Sequence, residues 1–125
     1  MQILSNHTTA PTPIPGIEHV TLAGSHTGLR HLSVWKQSMT AGSATPPHRH
    51  ACEEVVLCVG GVGELHAGGR VERFGAGQTI IIPAGVDHQI FSIGPTPLET
   101  IAAFAMTPVP TTLPNGEALD LPWEG

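Results

Sequence analysis

Residues 42–61, GSATPPHRHACEEVVLCVGG, place two histidines and a pair of glutamates directly before a run of apolar residues. His48 and His50 are two positions apart, so on a strand both side chains share one face, and Glu54 follows four residues later. Imidazole and carboxylate groups at this spacing indicate a metal site; the competing interpretation is a polar edge exposed to water. The run VVLCV, residues 55–59, indicates a buried strand beside the cluster.

A second stretch adds another imidazole. In PAGVDHQIF, residues 83–91, His88 follows a Pro-Gly turn and begins a strand. Three imidazoles and one carboxylate suit a divalent transition metal: Fe(II), Mn(II), Ni(II), Co(II) or Zn(II). Because the chain has 8 histidines, scattered surface histidines remain the alternative on these residues alone.

The spacing of the two stretches resembles the cupin family. The first cupin motif is matched by Gly42, His48, His50, Glu54 and Gly61. The second is matched by Gly77, Pro83, Gly85 and His88, and departs only at Ser92, where the family has an asparagine that is not a metal ligand. The resemblance implies one divalent metal per chain, held by His48, His50, Glu54 and His88 with two coordination positions open. It also implies that Glu54 can serve as a catalytic base.

Short strand-like segments separated by glycine and proline turns predict an all-β fold, closed as a barrel or a sandwich. The predicted strands are HLSVWKQSM, VVLCV, GELHA, RVERF, TIIIP, QIFSI and ETIAAFAM. The cupin resemblance implies a single antiparallel jelly-roll β-barrel. We predict an extended arm at 1–16, the barrel at 17–107 and an irregular tail at 108–125 that packs on the barrel or on a partner. The motif glycines are predicted to take positive φ at the corners.

Composition limits the possible partners and the location. The chain has 125 residues, 40% of them hydrophobic, and a net charge of −5. It contains no basic run for nucleic acid and no apolar segment long enough for a membrane. The start of the chain lacks the features of a secretory signal, so we expect a cytoplasmic protein in which Cys52 and Cys58 are free thiols.

The function follows less directly from the residues. We expect a cavity lined by Trp35, Val56, Cys58, Ile90, Phe104 and Met106, suited to a small, apolar, metal-chelating organic molecule. The chain has no tyrosine, which disfavours the cupin-type epimerases and thiol dioxygenases that use one. Two hypotheses remain: a metal-dependent enzyme, most plausibly a dioxygenase or else a lyase or isomerase, and a non-catalytic binding protein. The complete set of ligand positions favours the enzyme.

The strands predict a homodimer. A strand with one wet face should alternate apolar and polar residues, yet VVLCV (55–59) and TIIIP (79–83) are apolar on both faces. The covering surface is expected to come from a partner's sheet, from the N-terminal arm, or from the tail with its alternating Leu119, Leu121 and Trp123.

Overall fold

The computed structural model describes residues 1–125 and contains eleven strands and one short 3-10 helix at Ser25–Thr27. The strands are Ala10–Pro11 (β1), Ile17–Ala23 (β2), Ser33–Met39 (β3), Arg49–His50 (β4), Glu54–Gly60 (β5), Val62–Ala67 (β6), Arg70–Gly75 (β7), Thr79–Ile82 (β8), His88–Ser92 (β9), Leu98–Phe104 (β10) and Thr111–Thr112 (β11). No helix is long and apolar enough to cross a membrane.

The strands form three antiparallel sheets. Six strands pair in the order β1-β2-β3-β10-β5-β8, three in the order β7-β6-β9, and β11 pairs with β4. Both larger sheets contribute to one cluster of 14 buried apolar residues, including Trp35 of β3, Phe104 of β10 and Ile90 of β9. The predicted all-β, cupin-like jelly-roll fold is confirmed, although the sheets do not join into one continuous hydrogen-bonded barrel.

The central strands β5 and β8 carry apolar residues on both faces. In β5, Val56 and Cys58 are buried, whereas Leu57 and Val59 face outward and are exposed. Strand β8 pairs with β5, and Ile81 opposes Val55 on that outer face. The apolar outer face predicted from the sequence is therefore present, and nothing within the chain covers it fully.

All seven predicted strands are found, but β2 and the two-residue strands β1, β4 and β11 are not among them. The segment IEHVTLA follows a proline-rich arm, and its alternation of Ile17 and His19 with Glu18 and Val20 is a strand pattern that includes polar residues on both faces. In the structure Ile17 and His19 face the core, and β2 pairs with β3 along its length. This extra strand brings His19 into the interior, where it is 7% exposed.

Candidate metal centre

Backbone pairing brings the motif residues together. His50 lies in β4, Glu54 begins β5, and His88 begins β9. His48 pairs directly with His88: the His48 amide donates to the His88 carbonyl at 3.0 Å, and the His88 amide donates to the His48 carbonyl at 2.8 Å. The two sequence motifs, far apart in the chain, therefore meet as neighbouring backbone segments.

The turn before β9 ties the second motif to the first. Gly85 has a φ of 76°, which a residue with a side chain rarely adopts, and its amide donates to the His50 carbonyl at 2.8 Å. The other motif glycines, Gly42, Gly61 and Gly77, also have positive φ, as predicted. Gly85 thus sets where His88 begins its strand relative to His50.

The side chains of all four residues converge. The ligand atoms of His48, His50 and His88 lie within 4.8 Å of one another. Glu54 Oε1 lies 3.5 Å from His50 Nε2 and 3.3 Å from His88 Nε2. The arrangement has the three imidazoles needed to hold a metal ion, with a carboxylate beside two of them.

Hydrogen bonds fix which nitrogen of each imidazole faces the centre. His48 Nδ1 donates to the Pro46 carbonyl at 2.6 Å, and His88 Nδ1 donates to the Val86 carbonyl at 2.9 Å. A carbonyl oxygen only accepts, so Nδ1 carries the hydrogen and Nε2 has a free lone pair. This is the usual outer support of a metal-bound histidine.

Unsatisfied polar atoms test whether a metal fits here. His50 Nε2 and Glu54 Oε1 are both buried and have no hydrogen-bond partner. Two acceptors left without a partner in the interior are costly, and a cation between them removes that cost. The donors, three nitrogens and a carboxylate oxygen, fit a divalent transition metal such as Fe, Mn, Ni, Co or Zn.

Burial controls the protonation of the imidazoles. Burial first, and then the neighbouring His48, lowers the pKa of His50 from 6.5 to about 3. Burial together with His88 lowers the pKa of His48 to about 4. Burial acts in the same direction on His88, but the Glu54 carboxylate, the Val86 carbonyl and Asp87 together outweigh it and raise the pKa. At neutral pH His48 and His50 are therefore neutral, the form in which imidazole binds metals.

The centre opens into a small cavity of about 50 Å³, room for roughly three or four water molecules. Its polar lining beyond the four motif residues consists of Gln37, Thr45, Thr100 and Thr111, and neither lysine nor arginine lines it. Its apolar lining consists of Ile14, Ile17, Trp35, Met39, Val56, Ile90, Ala102, Leu119, Leu121 and Trp123.

Only three of the six residues predicted to line the cavity do so. Trp35, Val56 and Ile90 line it as predicted. Cys58 and Phe104 are buried but do not reach it, and Met106 lies past the end of β10 with 41% of its surface exposed. The tail residues were expected only to lie on some apolar surface; the alternation of Leu119, Leu121 and Trp123 was the signal for their place in the wall.

His19 anchors the tail to this wall. Its ring stacks on Trp123 with centroids 3.9 Å apart and meets Trp35 edge-on at 5.2 Å. Gln37 Nε2 donates to His19 Nδ1 at 3.0 Å, and His19 Nε2 donates to Thr21 Oγ1 at 2.7 Å. Burial lowers the pKa of His19 to about 4, so the ring is neutral at pH 7. His19 therefore has a structural role within its own chain.

The metal-free protein is expected to lose stability as pH falls from 6.5 toward about 4. In this window the unfolded chain protonates His19, His48 and His50, whereas the folded chain resists it because their pKa values are lowered. Each such proton lowers the free energy of unfolding by about 1.4 kcal/mol per pH unit. The raised pKa of His88 has a different effect: the stability it contributes is fully present below pH 6.5 and is lost as pH rises above that value, so it does not change within this window. Urea unfolding of chelator-treated protein at pH 7 and pH 5 measures the change, and equal stability at both would contradict it.

Other polar residues lie outside the centre. Glu64 opposes Arg73 across the β6–β7 hairpin, and its carboxylate lies 2.7 Å from His66 Nε2. Cys52 and Cys58 are free and buried, and burial raises the pKa of both thiols. Neither cysteine belongs to the cluster of potential metal ligands.

Solved structures share this fold. The polyketide cyclase RemF from Streptomyces resistomycificus superposes with a TM-score of 0.73 at 20% identity, covering 98% of this chain and 89% of that one. Salicylate 1,2-dioxygenase from Pseudoaminobacter salicylatoxidans superposes with a TM-score of 0.67 at 17% identity, covering 77% of this chain and 26% of that one. At these identities the likeness concerns the fold alone.

Sequence relatives are more specific. A family model described as auxin binding protein matches residues 2–102. Auxin-binding protein 1 of Arabidopsis thaliana is 35% identical over 106 residues, 76% of this chain and 53% of that protein. Auxin-binding protein T85 of Nicotiana tabacum is 35% identical over 91 residues, 63% of this chain and 48% of that protein. The chain thus spans about half the length of these relatives. With the paired motifs and the jelly-roll fold, this match means that the chain belongs to the auxin-binding protein family within the cupin superfamily.

Proposed function

We propose that this protein binds one divalent transition metal through His48, His50, Glu54 and His88 and uses it to hold a small, largely apolar organic acid. The observation that carries the proposal is the convergence of three imidazoles on a cavity that is mostly apolar and has no lysine or arginine in its wall. The metal would supply a positive charge with open coordination positions.

The charge of the cavity favours an acid that depends on the metal. A carboxylate buried without a cation or hydrogen-bond donors is costly. The charged protein group in the lining is Glu54, which would repel an anion. An acid can therefore enter favourably only beside a bound cation. The remaining body of the ligand would pack on Trp35, Val56 and Ile90.

The relatives indicate which acids to test. Several are named auxin-binding proteins, and auxins are small aromatic carboxylic acids. Such a molecule is larger than the cavity, so part of the wall has to move. The tail is the part best suited to move, because residues 120–125 form no hydrogen bonds from backbone to backbone. They are held by side-chain donors instead, including Trp35 Nε1 to the Gly125 carbonyl at 2.8 Å.

Calorimetric titration with indole-3-acetate tests the proposal. The zinc-loaded protein should bind it at micromolar to millimolar concentration, and the chelator-treated protein should lose at least about tenfold in affinity, equivalent to about 1.4 kcal/mol. 3-Methylindole, which keeps the ring but lacks the carboxylate, is the matched control and should bind equally weakly with or without metal. Binding of the acid that is unaffected by metal removal would contradict the proposed role of the metal.

An oxygenase is the second candidate. The observation that favours it is Glu54, whose Oε1 lies 3.3 Å from His88 Nε2 and lacks a hydrogen-bond partner, so it can take or hold a proton beside the substrate. Oxygen uptake by the iron-loaded protein, screened with catechols, flavonols, diketones and hydroxy acids, separates the two functions. Uptake that Glu54→Gln abolishes would favour the enzyme, and its absence would favour the binding protein. A cytoplasmic location remains part of both proposals.

A further inference from the structure

The outer supports of the three imidazoles are of two kinds. His48 donates to Pro46 and His88 donates to Val86, in both cases to the carbonyl two residues earlier in the same segment. These supports are local and form whenever the segment itself is in place. The Nδ1–H groups of His48 and His88 therefore need nothing from distant parts of the chain.

His50 is supported differently. Its Nδ1 lies 3.1 Å from the Pro110 carbonyl and 3.1 Å from Thr111 Oγ1, so one N–H is shared between two acceptors from the tail. The Thr111 hydroxyl in turn lies 3.4 Å from the Val109 carbonyl, to which it donates. With its hydrogen directed there, the Thr111 oxygen presents a lone pair to His50.

Strand pairing places Thr111 at this position. In the β4–β11 pair, Thr111 is directly opposite His50 and Thr112 is opposite Arg49. Thr111 is buried and lines the cavity, whereas Thr112 faces away and is partly exposed. The next residue, Leu113, accepts a hydrogen bond from Arg49 Nη1 at 3.2 Å. The tail is therefore held alongside β4, the strand that carries His50.

We propose that Thr111 is a positioning residue for His50, which turns the imidazole so that Nε2 faces the metal. The inference rests on the proposed function, since it concerns the metal held there. A hydrogen bond to the outer nitrogen sets both the orientation and the tautomer of a metal-bound histidine, and losing it typically weakens metal binding by about 10- to 100-fold. Since the Pro110 carbonyl remains as a second acceptor, the lower end of that range applies.

A purely structural role for Thr111 predicts a different effect of removing its hydroxyl. If its hydroxyl served only to satisfy the Val109 carbonyl, its loss would lower the stability of the metal-free protein and leave the metal geometry unchanged. A role in positioning changes the metal affinity and the coordination geometry at similar metal-free stability. Valine has nearly the shape of threonine and suits a strand, so Thr111→Val removes the hydroxyl with little other change.

The test compares Thr111→Val with Thr111→Ser and Thr112→Val. Zn²⁺ affinity is measured by competition with a chelator, and the geometry by the visible absorption spectrum of bound Co²⁺. We expect Thr111→Val to bind Zn²⁺ about tenfold more weakly, with an altered Co²⁺ spectrum, while serine restores both and Thr112→Val resembles the wild type. Metal-free melting temperatures serve as the control for folding.

Wild-type Zn²⁺ affinity and an unchanged Co²⁺ spectrum in Thr111→Val would overturn the inference while leaving the proposed function intact. A wild-type protein that binds no metal would overturn the proposed function and the inference with it. If valine at position 111 prevents folding, Thr111→Ala provides a second comparison, because it removes the hydroxyl without placing an apolar methyl group at its position.

Discussion

Replacing His48 and His50 together with alanine is expected to reduce metal content from about one ion per chain to nearly none. The double variant leaves His88 and Glu54, and two donors cannot hold an ion tightly at a site that keeps positions open. The loss is expected to be larger than for any outer support, because two ligands disappear rather than one hydrogen bond. Elemental analysis of purified protein measures it directly.

A matched control removes two imidazoles elsewhere. His26 lies in the exposed 3-10 helix, and His66 lies on the outer face of β6. His26→Ala with His66→Ala should retain the wild-type metal content. Metal content unchanged in the His48→Ala, His50→Ala protein would reject the ligand assignment. Acid should also release the metal from the wild type, because imidazole must be neutral to bind it.

The protein is expected to be a homodimer in solution, formed through the outer face of the six-stranded sheet. Leu57, Val59 and Ile81 are 43%, 55% and 71% exposed on that face. Each aliphatic side chain gains about 1.5–3 kcal/mol on full burial, so a partner that covers them is favoured. The alternatives within the chain do not supply the cover: Leu121 and Trp123 line the cavity, and Ile3 and Leu4 of the N-terminal arm are themselves 93% and 50% exposed.

Light scattering behind a sizing column measures the outcome. The expected mass is about twice 13.0 kDa at micromolar protein. Ile81→Lys should shift the mass to that of one chain, since a charge would be buried in the interface. Val71→Lys is the matched control: Val71 is also exposed, at 57%, but it lies on β7 of the other sheet. A wild-type mass near 13.0 kDa would show that the dimer does not form.

The spacing within the first motif predicted that His48 and His50 share a face and that Glu54 can lie beside them, because it reflects local geometry. That His88, in a separate stretch of the chain, joins them was implied by the resemblance to cupins. Two residues along a strand return a side chain to the same face, and a glycine with positive φ reverses the chain at a fixed point. These constraints act within a few residues, so the amino-acid sequence alone is enough to predict them. The same applies to the seven predicted strands, whose apolar runs lie between turns.

The tail's part in the site could not be predicted in the same way. Thr111 lies opposite His50 because β11 returns to pair with β4, a contact between residues 61 positions apart in the chain. A two-residue strand has no period of its own, and its partner depends on the path of the whole chain. The polar residues of β2 obscured its strand pattern. The sequence does not distinguish a buried histidine, hydrogen-bonded to Gln37 and Thr21 as His19 is, from an exposed one.

The composition of the cavity wall means that the intrinsic fluorescence of the protein reports on the cavity. The chain has 2 tryptophans and no tyrosine, and both Trp35 and Trp123 line the cavity. Essentially all ultraviolet-excited emission from the folded protein therefore originates beside the metal centre, with no background from indoles at the outer surface. Arrival of a quenching ion such as Co²⁺, stacking of an aromatic ligand, or displacement of Trp123 from His19 would each alter an emission that reports on this cavity alone.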